Sequence, residues 1–243
     1  MDQLKNFADE RLNQGCIYCG GTEETREHVP SKVFLDTPYP ENLPIVSACR
    51  YCNNGFSSDE EYLACLIESA VSTSNDSDEL HRVKIANILR RSPALKARLN
   101  SAKIMTGNQV HYNIEPQRVE NIVLKLARGH AWFELSQVCQ MEPTSIWWQP
   151  ISLLSDDQRD AFEDLEFVEL LGEIGSRGSQ RVLATQITLQ SETGESLTFE
   201  VLFNDWLHVQ EGNYRYHAAD HDGEVKIKIV IREYLACEVT WRL

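Results

Sequence analysis

Two Cys-x-x-Cys pairs, Cys16-Ile-Tyr-Cys19 and Cys49-Arg-Tyr-Cys52, constrain this chain more than any other feature of it. Four thiolates in two such pairs suit one tetrahedral Zn²⁺, and a site filled by four sulfurs is closed to substrate, so this zinc is expected to be structural. The 29 residues between the pairs exceed the gap of a simple ribbon and leave room for a hairpin and a loop. A metal holding both ends would stabilise a unit too small to keep a core alone.

The other three cysteines, Cys65, Cys139 and Cys237, stand singly in apolar or amphipathic surroundings and read as core filler in a reducing compartment. No apolar run reaches the length of a membrane span, and Met1 to Glu10 lacks the apolar stretch of a secretory signal. A cytoplasmic location is therefore expected.

After the first pair, Thr25 to Val29 reads as a short strand stopped by Pro30, residues 31–42 as a loop and Leu43 to Ser47 as a second strand. The second pair follows, and then a helix. Ser57 and Ser58 each precede a glutamate by three residues, which predicts a helix start there, with Tyr62, Leu63, Leu66, Ile67, Ala70 and Val71 on its buried face. Residues 1–15 predict a short polar helix. The Ser/Asn/Asp run at 72–78 reads as a linker, giving units 1–78 and 79–243.

Beyond it, helices are predicted from Glu79 to Arg91, on to Leu99, from Pro116 to Gly129 and from Asp156 to Leu165, with a strand at Gln109 to Ile114. Alternation at Leu183–Leu189, Leu197–Phe203, Val225–Ile231 and Leu235–Trp241 predicts antiparallel sheet. The fold class is α+β: a thiolate-stapled ββα unit, a helical segment, then a mostly antiparallel body.

Between the cysteine pairs lie Arg26-Glu27-His28-Val29-Pro30 and Asn42-Leu43-Pro44, and Asn53-Asn54 follows Cys52. This order of parts resembles the zinc-stapled branch of the HNH (ββα-metal) endonucleases, over residues 16–72. The resemblance implies His28 as the general base that activates water and Asn42 as the residue fixing its tautomer. It implies Glu27 and Asn53 as ligands of a catalytic Mg²⁺ or Mn²⁺, with Asn54 or Asp59 as alternatives to Asn53. A histidine near neutrality suits a base, and oxygen ligands suit a hard cation. Adjacent strand residues point to opposite faces, so Glu27 and His28 are expected at a strand end or bulge. Glu in place of Asp and Asn in place of His depart from the commonest family pattern.

The family implies DNA, double-stranded, as the substrate, and a role in restriction or anti-phage defence, sometimes beside an ATPase partner. RNA stays open as a substrate. The rival reading is a non-catalytic zinc module that binds nucleic acid or protein through a degenerate HNH core.

A net charge of −14 is unusual for a protein that meets phosphates, but it is unevenly spread: residues 79–130 carry 10 basic and 3 acidic side chains. Lys32, Arg50, Arg82, Lys84, Arg90 and Arg91, with Lys96 and Arg98, form the candidate nucleic-acid contacts. His217 and His221 read as a solvated turn, and Trp147-Trp148 as core or interface.

Overall fold

The computed structural model describes residues 15–106, 109–165, 184–190, 193–194, 196–202, 205–221 and 223–242. The helix expected over residues 1–15 thus falls almost wholly outside the described residues.

The N-terminal part runs β1 (Thr25–His28), β2 (Ile45–Ala48) and α1 (Arg50–Val71). The strands pair antiparallel, with Glu27 opposite Val46 and His28 opposite Ile45. α1 starts seven residues before the serines that suggested its cap. Cys49 caps it instead, its sulfur accepting the Cys52 N–H at 3.4 Å. Ser57 lies inside the helix, its hydroxyl donating to the Asn54 carbonyl. A thiolate can accept an N-terminal amide as a serine oxygen does, which the capping pattern did not anticipate.

Next come α2 (Val83–Arg91), α3 (Pro93–Ala102), the hairpin β3 (Lys103–Thr106) and β4 (Gln109–Tyr112), and α4 (Pro116–Leu135). Pro116 opens α4, where its fixed φ costs nothing, and Ser136 closes it in the left-handed region at φ 59°. The helix does not stop at Gly129 as expected. A Cβ there would lie 2.6 Å from Val29 Cγ2, so the glycine marks a close crossing of α4 over the end of β1.

The C-terminal part holds β5 (Ser145–Pro150), α5 (Asp156–Glu163), the hairpin β6 (Ala184–Gln190) and β7 (Ser196–Leu202), then β8 (Leu207–Gln210), β9 (Tyr214–His221), β10 (Glu224–Ile231) and β11 (Leu235–Arg242). A five-stranded antiparallel sheet runs β5-β11-β10-β9-β8. The chain is mixed α+β, and its paired strands are antiparallel. No helix among the described residues is long and apolar enough to cross a membrane.

One apolar cluster joins Leu63 and Ile67 of α1, Ile85 and Leu89 of α2, Ile122 and Leu126 of α4, and Ile227, Ile229 and Val239 of the sheet. Residues 72–78 therefore do not separate two cores, and Asn75 within them is buried against the Tyr112 hydroxyl at 2.8 Å. Cys65, Cys139 and Cys237 are buried in this cluster, and burial pushes the Cys65 and Cys139 thiols up to about 12 and about 11. His217 is buried on β9 rather than on a solvated turn. The alternation Tyr214, Tyr216, Ala218 that makes this strand is carried by aromatic and small residues, a weaker signal than its Val/Ile neighbours give. Trp148 lies on β5 opposite Cys237.

Candidate functional site

The first cysteine pair sits on a turn closed by Cys16 N–H to the Gly21 carbonyl (2.7 Å) and Gly20 N–H to the Cys16 carbonyl (2.8 Å). Gly15 and Gly20 adopt φ of +90° and +74°, values that side chains rarely tolerate. The turn hangs on β2 through Ile17 N–H to the Ser47 carbonyl (3.1 Å), which brings it beside the second pair at the start of α1. All four sulfurs lie within 4.8 Å of one another, and Cys19 and Cys49 are 3.7 Å apart. Zn–S bonds of about 2.3 Å in a tetrahedron set sulfur separations near 3.8 Å, so the cluster fits one structural metal ion such as zinc.

The hairpin between the pairs is regular. Its register is unbroken through Glu27 and His28, and the Val29 N–H still bonds the Pro44 carbonyl at 2.9 Å. No bulge re-aims the two side chains. By alternation Thr25 and Glu27 face α1 and α4, while Arg26 and His28 face the other way.

Glu27 is buried. Its Oε1 accepts from Lys125 Nζ of α4 at 2.7 Å, and Lys125, only 1% exposed, also bonds Glu60 of α1 and the Ser31 hydroxyl (2.8 Å). Ser31 in turn reaches both carboxylates. Burial raises the Glu27 carboxyl above its ordinary range against the pull of Lys125, and Glu60 adds to the rise. Lys125 did not stand out in the sequence, and Glu60 did so only as the acid of an expected helix cap. Lys125 lies in the apolar run of α4, and a lysine there reads as a solvated position until its partners are known.

His28 is the last residue of β1. Its ring is half-buried, and its Nδ1 is buried with no hydrogen-bond partner among the described residues. Burial first, then the charges of Lys32 and Lys125, hold the imidazole down to about 4. It is therefore neutral at pH 7, the form that accepts a proton.

Asn42 does not orient it. The residue is exposed, three residues before β2, and no hydrogen bond joins it to His28 among the described residues. Asn53 lies in the first turn of α1 and donates its amide to Thr25 Oγ1 at 3.0 Å. Asn54 is exposed, and Asp59 is held by Arg118 (2.6 Å) and Asn121 (2.7 Å). Glu27 and Asn53 thus serve different partners. A divalent ion at Glu27 does not fit these side chains as they stand, because the Lys125 ammonium already bonds the carboxylate.

No family model, no curated protein and no solved structure matches this chain. Its chemistry rests on the residues themselves.

The basic residues divide. Arg82 is not a surface contact: it is buried and donates to Asp36 (2.6 Å) and to the carbonyls of Val33 (2.9 Å) and Leu35 (2.8 Å), pinning the loop after β1 to α2. Lys96 and Arg98 stand within 4 Å of Asp76 and Glu115. Arg50 is exposed next to Glu24. Lys32 and Lys84 flank the Tyr39 ring at 5.4 and 5.3 Å, and Arg90 and Arg91 lie exposed on α2.

Proposed function

We propose that this chain is an HNH-type endonuclease that hydrolyses phosphodiester bonds in DNA, with His28 as its general base and a structural zinc at Cys16, Cys19, Cys49 and Cys52. The observation that carries this reading is geometric: four sulfurs gather the two ends of a hairpin whose first strand ends on His28. The order hairpin, second cysteine pair, helix supports it as well.

In this reading a water gives its proton to His28 as its oxygen attacks phosphorus, and the 3′-oxygen leaves with the bonding pair. Lys32, whose positive charge helps to keep the His28 imidazole neutral, would equally favour an anion beside it. Glu27 has no contact with substrate; through Lys125 it fixes β1 against α4 and so positions His28. No step is assigned to a second metal ion, because the side chains expected to hold it are engaged elsewhere. Restriction or anti-phage defence, with an ATPase beside it, is the setting the reading carries along.

The test is supercoiled plasmid with zinc-loaded protein, with and without Mg²⁺ or Mn²⁺. Nicked or linear products are expected, reduced about 10²–10⁴-fold in His28→Ala, the usual worth of a general base. Intact plasmid under every condition favours the second reading, a non-catalytic zinc module. The engagement of Glu27 by Lys125 is the observation on that side.

A further inference from the structure

α2 buries Ile85, Ala86, Ile88 and Leu89 and turns Lys84, Asn87, Arg90 and Arg91 outward, where they line a concavity of about 490 Å³. Lys84 is held in place: its ammonium donates to the Lys32 carbonyl (2.6 Å) and to the Tyr39 hydroxyl (3.0 Å). Arg91 is steadied on the Asn87 carbonyl (3.2 Å). Arg90 spends one arm on Asp78 at 2.7 Å and another on the Asn87 side chain. Among the described residues no carboxylate lies within 4 Å of the charged ends of Lys32, Lys84 or Arg91, although acidic residues exceed basic ones by 14. On so acidic a chain, cations left without a carboxylate on a concave face point to an anionic partner.

We infer that the concavity on α2 seats backbone phosphates of duplex DNA, and that Lys84, Arg91 and Lys32 form a basic track leading from it past Tyr39 to His28. Lys32 and Lys84 flank one ring, and Lys32 lies four residues after His28 at the end of β1, so the track leads toward the imidazole. Several fixed cations in a row favour a partner with charges repeated along its length over a single small anion. Duplex DNA supplies that repeat. The inference deepens the endonuclease reading and rests on it for the choice of DNA.

The experiment measures fluorescence anisotropy of a labelled 20-base-pair duplex with zinc-loaded His28→Ala protein, divalent salts omitted, across a range of NaCl. The Lys84→Gln/Arg91→Gln double variant should bind about tenfold or more weakly at low salt. Its slope of log K against log salt should be shallower by about 2, one counterion for each lost contact. Lys226→Gln, which removes a charge on β10, should leave both unchanged. An unchanged slope in the double variant, an equal loss in Lys226→Gln, or no binding by the parent overturns the track. Tighter binding of an RNA duplex of the same length overturns the assignment to DNA. Plasmid cutting with an unaltered double-variant slope refutes the track and keeps the nuclease. A shallower slope in a chain that never cuts keeps the track and refutes the nuclease.

Discussion

Lys125 Nζ lies 2.7 Å from Glu27 Oε1 across the crossing of α4 and β1, and the same ammonium meets Glu60 on α1. Three elements are thus fastened at one buried point beside the candidate site. Breaking such a pair by removing one partner leaves charge uncompensated and costs about 3–5 kcal/mol. Lys125→Met should lose stability on that order in urea unfolding, and adding Glu27→Gln and Glu60→Gln should restore most of it. A single variant as stable as the parent would show that the ammonium is dispensable.

The same variant speaks to metal binding. With Lys125 replaced by Met, the two carboxylates lose their internal cation, so Mn²⁺ should bind the zinc-loaded variant more tightly than the parent by electron paramagnetic resonance. Equal affinities would mean that Lys125 does not compete for Glu27.

Gly129 tests the packing at the same crossing. Its missing side chain is what lets α4 approach Val29, since an added Cβ would come within 2.6 Å of one Val29 methyl and 2.9 Å of the other. Overpacking of this kind costs about 1–3 kcal/mol, more than the gain in helix propensity from Gly to Ala. Gly129→Ala should therefore be destabilised, whereas Gly129→Ala combined with Val29→Ala should recover. Raised stability in the single variant would contradict the close approach.

His28 sets a pH dependence. Its folded form is held down to about 4 from the usual 6.5, chiefly by burial. Between these values the unfolded chain binds the proton and the folded chain does not, so stability from this residue falls as pH drops through that window and levels off below about 4. Carboxylates titrate nearby, so the difference between parent and His28→Gln isolates the effect. The parent should lose stability relative to His28→Gln as the pH falls, and a constant difference from pH 7 to 4 would refute it. If the chain cuts DNA, the acid limb of kcat/KM should lie nearer 4 than 6.5.

The sequence announced the cysteine cluster more fully than what surrounds it. The cysteine pairs are local and strongly patterned, and their sulfurs gather as the spacing implies. The alternating Val/Ile runs at Val225–Ile231 and Leu235–Trp241 likewise became β10 and β11. What failed was non-local. The pull of Lys125 on Glu27 spans 98 residues, and no window around Glu27 contains it. Arg82 looked like one more cation in a basic segment until the loop carbonyls of Val33 and Leu35 closed on it. Gly129 read as a helix stop because local propensity carries no information about Val29 on the other side of the crossing.

Four sulfurs sharing one ion are measured directly by X-ray absorption at the zinc edge of purified protein. One zinc per chain with four sulfur neighbours at about 2.3 Å is the expected result. Fewer than four sulfurs around the metal, or a folded chain whose Cys16→Ser and Cys52→Ser variants lose neither zinc nor stability, would contradict it.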